Sequence, residues 1–228
     1  MTRIGTWNLQ GRSSARRIEL QRAFMEREDC DVWLLTEVSD AFARATTTET
    51  IVVSAAMGPA KSYAAVWARG GLSLRPPIHE AAAFATVDGV RVCSCVLPWR
   101  AAPSQGWPAV DGNDLASVTR AAIGRLRRGL TPGPGSGDLV WGGDWNQALE
   151  GRDPVGTAAG RAALTESIAR LGLQVLTAGL AHECDRMSSI DHIAFPMGWR
   201  VGSAVRRVAE ADGIRLSDHD AYVVEAQP

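Results

Sequence analysis

The feature that most constrains this chain is the nine-residue stretch Asp138-Leu-Val-Trp-Gly-Gly-Asp-Trp-Asn146. Its apolar part, Leu139–Trp141, is typical of a short buried strand. The two glycines that follow can adopt backbone conformations that residues with a Cβ atom resist. The strand therefore ends on a carboxylate and an amide, Asp144 and Asn146. Because α/β sheets bind ligands outside the carboxyl ends of their strands, this stretch predicts a functional site here.

Two earlier strands are predicted to bring further polar side chains to a similar position. Arg3–Trp7 is a β-prone run that stops at Asn8, and Ser13-Ser14 cap the helix predicted to follow it. Asp31–Glu37 is apolar without alternation, as expected of a strand that is covered on both faces. If the two strands are neighbours, Asn8 and Glu37 emerge together at one edge of the sheet.

The middle of the chain is predicted to be mostly antiparallel sheet, and the second half mixes helices with strands. Glycine and proline pairs separate the β-prone segments, and Asp88-Gly89 is typical of a two-residue hairpin turn. The predicted strands are Glu49–Ser54, Tyr63–Ala68, Glu80–Val87, Arg91–Leu97, Ser189–Phe195, Gly198–Val208 and Ala221–Glu225, and the predicted helices are Asp114–Leu130 and Gly160–Leu171. The linker Thr131–Gly137 is too short to separate independent domains, so we interpret it as an internal loop.

The segment Pro98–Gly112 contains several prolines and glycines and is predicted to be a long surface loop. Loops of this length are often functional. Two interpretations of its large side chains are open. Either Trp99, Arg100 and Trp107 contact substrate, or the tryptophans close the edge of the sheet.

The length and charge of the chain limit its class. With 228 residues, 46% of them apolar, the chain can bury one sizeable core, so we expect a single domain over residues 1–228. The net charge of −1 provides no global positive field, so an anionic substrate must be held by local groups or by a metal. The arginines of the predicted helix Asp114–Leu130 form its polar side, which is usually a solvated face. They are Arg120, Arg125, Arg127 and Arg128.

The N-terminal residues contain no apolar signal core, and no run approaches the roughly 20 apolar residues that span a bilayer. We therefore expect a cytoplasmic monomer with no membrane partner. The four cysteines show no CxxC spacing, which favours reduced, partly buried thiols. A zinc site at His182 and Cys184 is the weaker alternative, because a tetrahedral site needs four ligands.

Two polar clusters near the late strands complete an ordered set of motifs. The set consists of Trp7-Asn8, Thr36-Glu37, Gly143-Asp144-Trp-Asn146, Ile190-Asp191-His192 and Ser217-Asp218-His219. Each motif alone has a simpler explanation as a turn, a cap or a strand end. Together, in this order and at roughly this spacing, they resemble the endonuclease/exonuclease/phosphatase superfamily of metal-dependent phosphoesterases. The resemblance extends along the whole chain.

The resemblance implies a four-layered α/β sandwich, in which two packed mixed β-sheets are flanked by helices and the site lies at the top between the sheets. It also implies a hard divalent ion, Mg²⁺ or Mn²⁺, held through oxygen ligands. Glu37, assisted by Asn8, would hold this ion, and Asp218 would hold the same ion or a second one. The residues alone support only an α/β fold with a substantial antiparallel part.

The resemblance further implies catalytic roles for four residues. Asp144 would orient and deprotonate the attacking water, and Asn146 would fix that water or a phosphate oxygen. His219 would donate to the phosphate, while Asp191 would hold its imidazole in the right tautomer. His192 has no firm role in the family, and we interpret it as a structural histidine.

The sequence departs from the DNA-repair branch of the superfamily at two places. Gln10 stands where that branch typically has an aspartate, so a carboxylate that could support metal binding is missing. No clear match exists to the tyrosine and arginine that clamp the phosphate, and Arg100 is the nearest replacement. We predict that Gln10, Trp99 and Arg100 contact the substrate.

Three hypotheses about function follow. The first is a Mg²⁺-dependent phosphodiesterase acting on nucleic acid, most simply a nuclease. The arginines of the predicted helix Asp114–Leu130, together with Arg206 and Arg207, favour it. The second keeps this chemistry for a small phosphoester, such as a phosphorylated sugar, nucleotide or lipid headgroup. A catalytically silent binding module ranks below both, because such a module has no need for the complete polar set.

Overall fold

A computed structural model gives the fold and describes residues 2–12, 14–46, 50–105, 107–108, 112–184 and 186–228. The helices are α1 (Ala15–Glu28), α2 (Asp40–Ala45), α3 (Leu115–Leu130) and α4 (Ala158–Arg170). The strands are β1 (Thr2–Asn8), β2 (Val32–Ser39), β3 (Ile51–Val53), β4 (Ala56–Gly58), β5 (Lys61–Ala68), β6 (Leu72–Leu74), β7 (Ala82–Val87), β8 (Val90–Cys95), β9 (Leu139–Asp144), β10 (Leu173–Val175), β11 (Asp191–Pro196), β12 (Arg200–Arg207), β13 (Glu210–Ala211), β14 (Ile214–Arg215) and β15 (Ala221–Gln227).

Two mixed sheets form the centre of the molecule. The first has the order β12-β15-β1-β2-β5-β3, with β4 also paired to β5. The second has the order β10-β11-β9-β8-β7-β6. Each sheet contains one parallel pair, β1 with β2 and β8 with β9, and its other pairs are antiparallel. The carboxyl ends of β1, β2 and β9 therefore lie at the same end of the molecule as the start of β11.

Three layers of apolar side chains hold these sheets and the helices together. The inner layer lies between the sheets and joins residues such as Leu34 of the first sheet to Val140 of the second. The outer face of the first sheet packs on α1 through Trp33 and Phe24. The outer face of the second sheet packs on α3 and α4 in the same way. The four-layered α/β sandwich implied by the resemblance is confirmed.

The predicted helices and the hairpin are present in the structure, but the predicted side-chain cap of α1 is not formed. Ser14 is its N-cap residue, and the Ser14 side chain makes no capping hydrogen bond. Helix α3 begins after Asp114, whose carboxylate accepts the N–H of Ser117 at 3.0 Å, as an N-cap residue does. The β7–β8 hairpin turns at Asp88 and Gly89, whose φ values of 47° and 85° are those of a tight two-residue turn. Of the predicted features, Ser13, Glu49 and Gly106 lie outside the described residues.

Several predicted strand boundaries differ from the structure by one or two residues, and two of these differences have an identifiable cause. The strand predicted from Glu80 begins at Ala82, because His79 forms a turn before it. The imidazole Nδ1 of His79 accepts the N–H of Ala81, and the backbone carbonyl of His79 accepts the N–H of Ala82. Strand β2 continues past Glu37 to Ser39, which caps α2 by accepting the N–H of Phe42. None of the helices in the described part of the chain has the length and apolar character that a membrane span requires.

Candidate active site

The polar residues of the two sheets meet where the strands end. Strand β1 ends at Asn8, which pairs in parallel register with Thr36, one residue before Glu37. On the second sheet Asp144, the last residue of β9, lies directly opposite Asp191, the first residue of β11. The two sheets thus bring residues that are far apart in the sequence to one edge of the sandwich.

Asn8 connects the two sheets through its amide nitrogen. Its Nδ2 lies 3.0 Å from Asp144 Oδ2 and 3.3 Å from Glu37 Oε1, so it donates to both carboxylates. Its Oδ1 accepts the backbone N–H of Gln10 at 2.8 Å. These three contacts fix the orientation of the amide. Asn8 therefore faces the carboxylates as a donor, and its oxygen, which the sequence analysis expected near a metal, faces the loop after β1.

Glu37 and two of its neighbours in the site have unusual backbone conformations. The φ values of Gln10, Glu37 and Asn146 are 58°, 47° and 49°. Residues other than glycine seldom adopt such angles, and they cluster at sites where function requires a particular side-chain direction. Gln10 and Asn146 each lie two residues beyond a strand, and Glu37 lies two residues before the end of β2.

Asp144 and Asp191 form a buried acidic pair. Asp144 is 3% exposed and Asp191 is fully buried. Asp144 Oδ1 accepts the backbone N–H of Asn146 at 3.0 Å. Burial, together with the charge of Asp191, raises the pKa of Asp144 to about 7. Asp191 Oδ1 is buried and has no hydrogen-bond partner among the described residues.

His219 completes this cluster. Its Nδ1 lies 2.7 Å from Asp191 Oδ2, which leaves Nε2 as the ring atom free to face a substrate. Burial opposes the charged form of the imidazole, but the charges of Asp191, Asp144 and Glu183 prevail and raise the pKa of His219 well above its ordinary value. The arrangement favours an imidazolium that donates a hydrogen bond from Nε2.

The side-chain hydrogen bonds of two other predicted site residues, Asn146 and Asp218, lie outside the cluster of Asp144, Asp191 and His219. Asn146 is buried, and its Nδ2 donates to the carbonyl of Leu97 at 3.0 Å, which leaves the second hydrogen of the amide for another acceptor. Asp218 is exposed, and its Oδ1 accepts from Ser217 Oγ at 3.3 Å. The structure places Asp218 at the rim of the site, next to His219 in the chain.

The remaining histidines of the region have structural contacts. His192 is fully buried, with Nδ1 3.1 Å from Thr177 Oγ1 and Nε2 2.9 Å from the carbonyl of Gln147, and burial lowers its pKa to about 4. His182 Nδ1 accepts the N–H of Cys184 at 3.0 Å, while the Cys184 side chain is exposed. A zinc site at His182 and Cys184 is therefore not supported.

The site contains side chains that could hold a hard divalent ion. In the described part of the chain, two groups of three side chains place possible ligand atoms within 4.8 Å of one another: Asp144, Asp191 and His219, and His182, Glu183 and His219. Burial, and after it the charge of Asp191, raises the pKa of Asp144, and Asp191 Oδ1 has no partner among the described residues, so a cation here would stabilise the ionised carboxylates. Its carboxylate oxygens are ligands of the type that Mg²⁺ and Mn²⁺ prefer. Glu37 and Asp218 belong to neither group, but they offer carboxylate oxygens of the same type, so the acidic residues of the site fit such an ion by their chemistry.

The predicted substrate loop is only partly available to a ligand. Trp107 is 7% exposed and packs edge-on against Tyr63, so its contacts agree with the interpretation that the tryptophans close the edge of the sheet. Trp99 is half-buried and stacks edge-on against Trp107. Arg100 is exposed, and its Nη2 donates to the carbonyl of Pro154 at 2.8 Å.

The comparisons with known proteins agree with this geometry. A model of the Endonuclease/Exonuclease/phosphatase family matches residues 5–219. The chain belongs to this family. Membership in the endonuclease/exonuclease/phosphatase family makes it a phosphoester hydrolase by class. Comparison with curated proteins gave no match.

Several solved structures share the endonuclease/exonuclease/phosphatase fold. An AP endonuclease from Archaeoglobus fulgidus is 16% identical, with a TM-score of 0.73 and 99% of each chain covered. The 3'-5' exonuclease NExo from Neisseria meningitidis is 19% identical, with a TM-score of 0.69, 98% of this chain and 99% of that chain covered. The 3' phosphatase NExo from Neisseria, bound to product DNA hairpin, is 18% identical, with a TM-score of 0.69 and 100% of each chain covered. At these identities the likeness shows the fold.

Lys61 is a residue of the site that the sequence analysis missed. Its Nζ lies 2.8 Å from Glu37 Oε2. A signal was available, because Lys61 is the only lysine in the sequence and the other 23 residues of the Lys plus Arg total of 24 are arginines. Glu183, whose carboxylate lies close to His219, was also missed, since no strand-end pattern precedes it.

Proposed function

We propose that this family member is a divalent-metal-dependent phosphodiesterase that cleaves nucleic acid, with residues 1–228 acting as one catalytic domain. The observation that carries the proposal is the continuous contact from Glu37 through Asn8 to Asp144, which lies opposite the Asp191–His219 pair. This arrangement combines a carboxylate for metal binding, a buried base and a charged donor in one cluster.

Each residue has a chemical role in the proposed mechanism. Asp144 takes a proton from the attacking water, and the unused N–H of Asn146 orients that water or a phosphate oxygen. His219 donates from Nε2 to the phosphoryl group, because Asp191 accepts from Nδ1 and fixes the ring. Such placed donors stabilise the charge that develops in the transition state.

The proposed ion is Mg²⁺ or Mn²⁺. Glu37 would hold it, with Asp218 as a second oxygen ligand, and Asn8 would position Glu37 through its amide N–H. When bound, the ion supplies positive charge to the phosphoryl oxygens. A nearby cation also favours the ionised form of Asp144, which the protein alone disfavours.

The arrangement of arginines supports a nucleic acid substrate. Three of the six arginines first considered for this role form ion pairs: Arg125 with Glu80, Arg206 with Asp220, and Arg207 with Glu28. The other three lie on α3, which packs on the outer face of the second sheet. By contrast, Arg12 follows β1, Arg152 follows β9 and Arg186 precedes β11, so all three lie on loops at the edge that carries the site. They are exposed and form no ion pair within the described residues. These loops offer cations to the phosphates that flank a cleaved bond.

The test is hydrolysis of plasmid DNA, single-stranded DNA, RNA and small phosphoesters by the purified protein with Mg²⁺ or Mn²⁺. We expect a polynucleotide to be cleaved, with an apparent affinity that falls steeply as salt is added, because counterions are released from several phosphates. The variant Arg152→Gln should weaken binding and reduce the salt dependence. Turnover of small phosphoesters alone, without this salt dependence, would contradict the nucleic acid part of the proposal.

The second candidate is a small phosphoester, and the observation that favours it is the net charge of −1. A chain without an overall positive field has little long-range attraction for a polyanion. The same four catalytic residues would act on the smaller substrate, and the panel of substrates distinguishes the two.

A further inference from the structure

The only lysine of the chain lies at the site proposed to bind a metal. Lys61 is the first residue of β5 and pairs in antiparallel register with Ser39, two residues beyond Glu37. The other 23 residues of the Lys plus Arg total are all arginines. A side-chain ammonium group therefore occurs once in 228 residues, and it lies in contact with Glu37.

Both carboxylate oxygens of Glu37 are engaged by nitrogen donors. Lys61 Nζ lies 2.8 Å from Oε2, and Asn8 Nδ2 lies 3.3 Å from Oε1. The Lys61 side chain is 32% exposed and that of Glu37 is 24% exposed, so solvent and a small ion can reach the pair. An ion that binds Glu37 must displace one of these donors or bind beside the ammonium charge.

The loop after β1 leaves room for the lysine stem. A Cβ atom on Gly11 would lie 2.8 Å from Lys61 Cδ, and Gly11 itself has a φ of 57°. The N–H of Gly11 donates to the carbonyl of Glu37 at 2.7 Å. The loop, the lysine and the glutamate are thus packed as one unit.

We propose that Lys61 is a built-in counterion of Glu37, which holds this carboxylate in the metal-free protein and competes with the divalent ion for it. The inference rests on the proposed function only in taking Glu37 as a metal ligand. A lysine suits this task better than an arginine. It makes a single, easily released contact, whereas the planar fork of a guanidinium binds a carboxylate through two parallel hydrogen bonds.

The test is the affinity of the purified protein for Mn²⁺, measured by electron paramagnetic resonance and by calorimetry without substrate. Lys61→Met should bind Mn²⁺ about two- to fivefold more tightly than the wild type, because removing a partly exposed ion pair releases the carboxylate. Lys61→Arg should bind more weakly than the wild type. The affinity for Mn²⁺ should therefore decrease in the order Lys61→Met, wild type, Lys61→Arg. Mg²⁺ should also raise the Tm of Lys61→Met more than that of the other two proteins.

Glu37→Gln separates failure of this inference from failure of the proposed function. If the wild type binds Mn²⁺ and Glu37→Gln does not, Glu37 is the ligand. Equal or weaker binding by Lys61→Met would then overturn the counterion role alone and show that Lys61 only orients Glu37. Unchanged binding by Glu37→Gln, or no binding by either the wild type or Lys61→Met, would overturn both.

A second readout uses the single lysine as a probe. Protein labelled with ¹⁵N and ¹³C only in lysine gives one side-chain spin system, that of Lys61. Saturating Mg²⁺ should shift its Nζ and Cε signals in the wild type but not in Glu37→Gln. The contradicting result has two parts: Mn²⁺ binding depends on Glu37, but the Lys61 signals of the wild type do not respond to Mg²⁺. The ion and the lysine would then not share this carboxylate.

Discussion

At the scale of single residues, the polar set could be located from the sequence because each member lies at a strand end or within three residues of one. The apolar runs before Asn8, Glu37 and Asp144 are visible in the sequence, and strand ends at one edge of a sheet converge. The direction of an amide was not predictable. Asn8 faces the carboxylates with its nitrogen because the N–H of Gln10 engages its oxygen, a contact within the loop after β1 that no sequence pattern specifies.

The contact between Asp191 and His219 gives the first prediction at this scale. Asp191→Asn removes the negative charge beside Nδ1 and allows the ring to change tautomer, so the rate of hydrolysis should fall about a thousandfold. The protein should remain folded, which circular dichroism can verify. The measurement is kcat with saturating Mg²⁺, and a loss of less than about tenfold would be incompatible with the proposed role of Asp191.

At the scale of elements, the helices and the β7–β8 hairpin were predictable from local signals, namely caps, helical spacing and the Asp-Gly turn. The short strands and α2 were not. Strand β6 has three residues and β13 has two, too few to show a period. The start of β7 depends on the turn made by His79, which is a hydrogen bond of a side chain and not a pattern.

Strand β9 gives the prediction at this scale. Gly143 has a φ of 119°, and a Cβ atom there would lie 2.2 Å from the carbonyl oxygen of Cys95 in the neighbouring strand. Gly143→Ala should therefore lower the free energy of unfolding by at least about 3 kcal/mol, from steric overlap and backbone strain together.

The matched control is Gly124→Ala in the middle of α3, where an added Cβ meets only the end of the Arg128 side chain at 3.6 Å. That change should be neutral or stabilise by up to about 1 kcal/mol, since alanine is the better helix former. Urea unfolding measures both variants. Equal stability of the two would refute the close approach of β9 to β8 at Gly143.

At the scale of the whole molecule, the four layers were implied by the resemblance rather than by periodicity. Strands covered on both faces, such as β2, show continuous apolar character but do not reveal what covers them. Pairing of β1 with β15 joins the two ends of the chain, and no local pattern specifies such a contact. Long-range order of this kind comes from the combined burial of both sheets.

The buried histidines predict how stability depends on pH. Burial, aided by the charge of Arg125, lowers the pKa of His79 from 6.5 to about 4. As the pH falls from 6.5 to 4, the unfolded chain takes up a proton that folded His79 does not, so the free energy of unfolding decreases. Asp144, whose pKa is raised, contributes with the opposite sign over the range from 3.8 to about 7.

His79→Asn isolates the first contribution, since the asparagine oxygen can still accept the N–H of Ala81. The variant should gain stability relative to the wild type as the pH falls from 6.5 to 4, by about 3 kcal/mol at most. Urea unfolding at pH 7 and pH 4.5 measures this. Parallel curves for the two proteins would contradict a neutral, buried His79.

The central claim is that Asp144 acts as the base in metal-assisted hydrolysis of a phosphoester. The most direct measurement compares cleavage of a nucleic acid by the wild type, Asp144→Asn and Asp138→Asn, each with Mg²⁺ and with EDTA. The two variants make the same change at opposite ends of β9, since Asp144 is its last residue and Asp138 directly precedes it. We predict that Asp144→Asn loses activity at least about a hundredfold while Asp138→Asn retains it, and that EDTA abolishes activity until Mg²⁺ is restored. Full activity of folded Asp144→Asn, or activity that survives EDTA, would contradict the account.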